Sequence, residues 1–139
     1  MREKYRSESP VAPPELCRTP LRPADARRAV RGAVARRDLP CAAGALDDAL
    51  LVTSELTTNA ILHGGGITGF DVDVEGCAIR VSVSDRSDEI PVAERVTEER
   101  DRWRPGGRGW PIVCRLARDV EVAGLPCGGK RITAVVPLA

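Results

Sequence analysis

At 139 residues the chain can close one hydrophobic core and is too short for two ordinary domains. Hydrophobic residues at 42% and charged residues at 29% fit a globular protein, and the apolar runs are too short to span a bilayer. A formal net charge of +1 and only 3% aromatic residues give neither a general attraction for nucleic acid nor base-stacking platforms, which disfavours direct nucleic-acid binding.

Residues 1–15, with Pro10, Pro13 and Pro14, read as a disordered, mobile tail ahead of one domain over 16–139. The stretch MREKYRSESPVAPPE lacks the apolar segment of a secretory signal, so a cytoplasmic protein is expected. Leu16–Leu21 is compatible with a short edge strand. Pro23 then opens an amphipathic helix, proline being tolerated in a first turn. Its apolar positions Ala26, Ala29, Val30, Ala33 and Val34 make one buried face. Arg27, Arg28, Arg31 and Arg36 fall elsewhere, as a basic outer surface that either is simply solvated or meets a partner.

Leu39-Pro40 breaks that helix, and a longer one is predicted over Ala43–His63, ended by Gly64-Gly65-Gly66 in left-handed conformations. Two strands follow. In the first, Phe70, Val72 and Val74 alternate with Asp71, Asp73 and Glu75, and Gly76 makes the turn. In the second, Cys77, Ile79, Val81 and Val83 point inward against Ala78, Arg80, Ser82 and Ser84. Arg86 to Gly107 shows little periodicity and much charge, a length of loop that is usually functional inside a small domain. A short helix over Gly109–Ala117, a strand over Asp119–Ala123, a turn over Leu125–Gly129 and a last strand over Arg131–Leu138 complete the chain.

This order predicts an α+β fold, a two-layer α/β sandwich with helices on one face of a mixed, mostly antiparallel sheet. The five cysteines form no C-x-x-C pair and there is one histidine, which argues against a disulfide framework and a zinc site. Reduced, buried thiols are expected.

Three features carry chemistry. Glu55, Asn59 and His63 recur every four residues, each turned about 40° from the last on a helix, so they share one stripe. A carboxylate takes a proton from an attacking hydroxyl, and an amide oxygen is a hard, neutral ligand for Mg²⁺. Asp85 has the inward parity of Ile79, Val81 and Val83 at a strand end, where a buried acid needs a donor such as the exocyclic amine of adenine. Gly106-Gly107-Arg108-Gly109 precedes a helix. Glycines admit phosphate oxygens to backbone N–H groups, the helix N-terminus favours anions, and Arg108 adds charge. Taken singly, each feature is also an ordinary polar stripe, turn cap or hinge.

Together and in this order, VTSELTTNAILHGGG, VSVSD, PGGRGWPIV and GGKRITAVVPL resemble the histidine-kinase-like ATPase superfamily, most closely its small bacterial anti-sigma serine/threonine kinases. The resemblance covers roughly Leu16 to Leu138, and its most specific part is E-x-x-x-N-x-x-x-H-G. It implies a Bergerat-type pocket holding ATP with Mg²⁺. Glu55 would activate the attacking hydroxyl and Asn59 would bind the metal. Asn59, His63, Asp85, Gly107, Arg108 and Gly109 would contact the nucleotide, with Asp85 reading adenine and the long loop acting as lid. It also implies a sigma factor or an anti-anti-sigma protein as partner, phosphorylation of the latter on Ser or Thr, and the first helix as a candidate homodimer face. That helix's apolar stripe is equally met by packing on the sheet.

Two departures stand out. Where the family follows the adenine-reading aspartate with glycines, this chain has Arg86-Ser87-Asp88-Glu89. Where a threonine often lies near the adenine in the last strand, Arg131 falls, with Thr133 two residues on. These leave open a second function, a regulatory module of the same fold that captures a sigma factor or other regulator with weak or no ATP binding. The lid sequence EERDRWRPGG, with Trp103, is unusually charged.

Overall fold

The computed structural model describes residues 2–3, 21–89 and 109–139. In chain order these form β1 (Arg2–Glu3), α1 (Pro23–Arg37), α2 (Ala45–Leu62), β2 (Ile67–Glu75), β3 (Ala78–Asp85), α3 (Gly109–Leu116), β4 (Asp119–Gly124) and β5 (Lys130–Pro137). The strands make one sheet in the order β1-β4-β5-β3-β2. β4, β5, β3 and β2 pair antiparallel, and β1 adds to β4 in parallel through Arg2 opposite Glu121 and Glu3 opposite Val122. This is the α+β sandwich the element order predicts. Within the tail read as mobile, Arg2–Glu3 form β1; the rest of it, and the edge strand expected over Leu16–Leu21 apart from Leu21, lie outside the described residues.

One core joins the layers. Ala26, Val30, Ala33 and Val34 of α1 and Ala49, Val52, Leu56 and Ala60 of α2 pack on Phe70, Ile79, Val81, Val83, Ile132, Ala134 and Val136. The apolar stripe of α1 is thus used up inside the domain. Arg27, read as part of the outer basic surface, is instead half-buried, and its Nη1 donates to Ser54 Oγ at 3.0 Å, tying α1 to α2. Asp38 closes α1 in the left-handed region (φ 49°), after which Leu39-Pro40 leaves the helix.

β3 is an interior strand between β5 and β2, and its outward positions are partly covered. Ala78 and Ser82, expected to face solvent, are buried, and Ser82 Oγ shares a hydrogen bond of 2.8 Å with Thr133 Oγ1 across the β3–β5 ladder. The cysteines correct a second expectation. Cys41, Cys77, Cys114 and Cys127 are free but exposed; Cys77 sits in the turn with Gly76 (φ 62°), one residue before β3 begins. Among the described residues no helix is long and apolar enough to cross a membrane.

Candidate functional site

α2 buries one side completely and keeps its polar stripe on another. Thr53 and Thr57 are fully buried on the packed side, and they manage it by donating their hydroxyls back along the helix, Thr53 to Ala49 O at 2.7 Å and Thr57 to Thr53 O at 2.8 Å. Glu55 and Asn59 lie half-buried on the adjoining stripe, and His63 is the exposed C-cap residue one turn on. The first residue of α3 rests against that stripe. A Cβ on Gly109 would overlap the Glu55 carboxylate and reach the Asn59 carboxamide at 3.4 Å, so any other residue there would make the Glu55 side chain swing aside. Gly109 is buried, and Trp110 beside it is buried too, anchoring the helix start in the core. Among the described residues the indole N–H of Trp110 is the one buried side-chain polar group without a hydrogen-bond partner.

Just past the C-terminal end of α2 the chain comes up against Asp85. The three glycines after His63 divide the work: Gly65 (φ 75°) and Gly66 (φ 111°) supply the left-handed turn, whereas Gly64 is needed for space, since a Cβ there would overlap the Asp85 side chain. Asp85 is buried at the end of β3, inward as its parity predicts. Its partner is not left to a ligand. Lys130, directly opposite on β5, places Nζ 3.0 Å from both Oδ1 and Oδ2, with 8% of the lysine side chain and 6% of the aspartate side chain exposed. The Ser87 N–H donates to Oδ1 at 2.9 Å, and Lys130 Nζ also donates to Ser87 O at 3.4 Å.

The segment after Asp85 is pinned in turn. Arg86 donates its N–H to Gly64 O at 2.8 Å and its guanidinium to Gly65 O at 3.0 Å. Glu89 N–H donates to Ser87 Oγ at 3.1 Å, and Gly129 N–H donates to Asp88 Oδ1 at 2.8 Å. Gly129 (φ 86°) has no room for a Cβ, which would overlap the Asp85 carbonyl. Polar side chains thus hold this loop where glycines would leave it free.

A family model for the histidine kinase-like ATPase domain matches residues 19–135. The chain belongs to that family. No curated protein matches it. Membership in the histidine kinase-like ATPase domain family implies ATP binding, and the two halves of the site can be compared with that ligand.

On the phosphate side the donor set fits: Glu55, Asn59 and the glycine-bounded start of an eight-residue helix stand together. Gly107 and Arg108, the other two residues assigned to phosphate, lie outside the described residues, as do the lid and Trp103. Among the described residues no three His, Cys, Asp or Glu side chains cluster as a metal site. On the base side the fit fails as the chain stands, because the Asp85 carboxylate is already bound by Lys130.

Lys130 is the residue the sequence reading missed, and Arg131, assigned to the position near the base, is corrected to its neighbour. β5 starts one residue earlier than expected, at Lys130. The signal was available in the alternation: Lys130 shares the parity of the inward Ile132, Ala134 and Val136, and Arg131 does not.

Proposed function

We propose that this ATPase-family domain is an anti-sigma-type regulator that uses Mg·ATP to phosphorylate a Ser or Thr of an antagonist protein. ATP supplies the phosphoryl group, and Mg²⁺ offsets the charge on its phosphates. Asn59 contributes its carboxamide oxygen to the metal, and the start of α3 presents Gly109 to the phosphates. Glu55 accepts the proton of the attacking hydroxyl as its oxygen bonds to the γ-phosphorus and ADP departs with the electron pair of the broken P–O bond. The observation carrying this reading is the packing of Gly109 against both Glu55 and Asn59. A sigma factor or an anti-anti-sigma protein in the cytoplasm is the partner this reading calls for, with a homodimer as a further arrangement to test.

Transfer of label from ATP to a cognate antagonist tests it. General-base catalysis contributes roughly 10²–10⁴-fold, so Glu55→Ala is expected to lose at least about a hundredfold in rate while still folding and binding nucleotide. Equal transfer by the two proteins removes Glu55 from the reaction. The ion pair on Asp85 favours a second reading, a module that captures its regulator without catalysis. Partner binding with no transfer under any nucleotide condition is its signature.

A further inference from the structure

A buried carboxylate needs donors, and which donors it has determines what it can recognise. Asp85 has them all from the protein. Lys130 Nζ lies 3.0 Å from each oxygen, the Ser87 N–H lies 2.9 Å from Oδ1, and Gly64 closes the remaining side at a distance no Cβ would allow. The ammonium is equally satisfied, with its contacts to both oxygens and a third hydrogen bond to Ser87 O at 3.4 Å.

The pair cannot drift apart by a shift of the strand. Asp85 and Lys130 are directly opposed in the β3–β5 ladder, and Gly129 packs its backbone on the Asp85 carbonyl while its N–H is fixed by Asp88. The amine of a base is a neutral donor, and to reach Asp85 it must displace a charged one from a buried site, where charge-assisted hydrogen bonds are the stronger kind.

We infer that Lys130 stands in for the base amine on Asp85, so that the domain holds nucleoside triphosphates by their phosphate side without preference for adenine. Lys130 is then the specificity-determining residue of the pocket. The inference rests on the ATP-pocket reading of Asp85 and not on phosphoryl transfer.

Calorimetric titration of the full chain with ATP, GTP and the triphosphate of purine riboside, which lacks the amine, each with Mg²⁺, tests this. For the wild type the expected result is affinities within about threefold of one another, since none of the three gains a contact with Asp85. Lys130→Thr is expected to gain at least about tenfold for ATP over both other nucleotides, and Asp85→Asn in that background to lose the gain. Lys130→Gln keeps a neutral donor for Asp85 and covers the case in which Lys130→Thr fails to fold; a smaller gain in the same direction is expected.

A wild type that binds none of the three, or that prefers ATP by about tenfold or more, overturns the inference, as does a folded Lys130→Thr or Lys130→Gln that shows no preference for ATP. The kinase reading fails separately. A wild type with equal affinities and no phosphoryl transfer loses that reading and keeps this one, and a wild type that transfers phosphate and prefers ATP does the reverse.

Discussion

Two glycine contacts, one on the C-terminal half of α2 and one just beyond it, are built on opposite terms. At the first, Glu55 and Asn59 are half-buried, with the backbone of Gly109 pressed against them. At the other, Gly64 is pressed just as closely on Asp85, yet that acid is buried and matched by Lys130. The same device, a glycine allowing close approach, serves an open site in one place and a sealed one in the other. What separates them is a single cation at the first position of β5. The acid read as the partner of adenine is therefore met from within the chain, while the Glu55–Asn59 stripe is not met by a comparable cation among the described residues.

Breaking the sealed pair has the largest expected effect. Asp85→Ala leaves a buried ammonium without its counter-charge, and removing one member of a buried pair typically costs about 3–5 kcal/mol. Replacing both, as Asp85→Leu with Lys130→Met, is expected to cost far less than the single change, because no charge remains buried. Urea denaturation of the three proteins checks this. A cost for Asp85→Ala below about 1 kcal/mol, the range of exposed pairs, would mean the pair is not sealed in solution.

The two glycines sharpen the contrast at lower cost. Gly64→Ala forces a methyl group into the short, buried Asp85 side chain, and such overpacking is expected to cost about 1–3 kcal/mol. Gly109→Ala meets the far end of the longer, half-exposed Glu55, which can swing away, so a stability cost below about 1 kcal/mol is expected. Its effect falls on the ligand instead, with nucleotide affinity expected to drop about tenfold by calorimetry because the phosphate approach is blocked. A Gly109→Ala protein that binds as the wild type does would show that phosphate does not pass this point.

The Glu55–Asn59 stripe was more legible in the sequence than the sealed pair, for a physical reason. The stripe of Glu55, Asn59 and His63 is written in helical periodicity, and the inward direction of Asp85 in strand parity; both are local regularities. The core of α1 and the alternation in β2 were read the same way. That Lys130 meets Asp85 depends on the register of two strands forty-five residues apart, and a one-residue error in the start of β5 exchanged Lys130 for Arg131. The cysteines show the limit of such signals: Cys77 shares the inward parity of β3 yet lies in the turn before it, and Cys41 and Cys127 fall outside the helices and strands, where apolar character says little about burial.

The smallest expected effect uses an exposed ion pair as the counterpart of the buried one. At the start of α1, Asp25 accepts hydrogen bonds from the Arg22 side chain and the Arg22 N–H, each at 3.3 Å, and these hold its carboxyl below the ordinary value of 3.8. A carboxyl lowered in the folded state contributes stability above its unfolded pKa and loses it as pH falls through the folded one. The melting temperature of the wild type is therefore expected to exceed that of Asp25→Asn slightly near neutral pH, with the gap closing as the pH falls through 3.8 and below. Salt is expected to narrow the gap too, since the pair is open to solvent and its charges are screened. The loss caused by Asp85→Ala should change little over the same salt series, because its pair is shielded from the solution. If the two substitutions responded to salt alike, the Lys130–Asp85 pair would be as wet as the one on α1, and the base side of the pocket would be open after all.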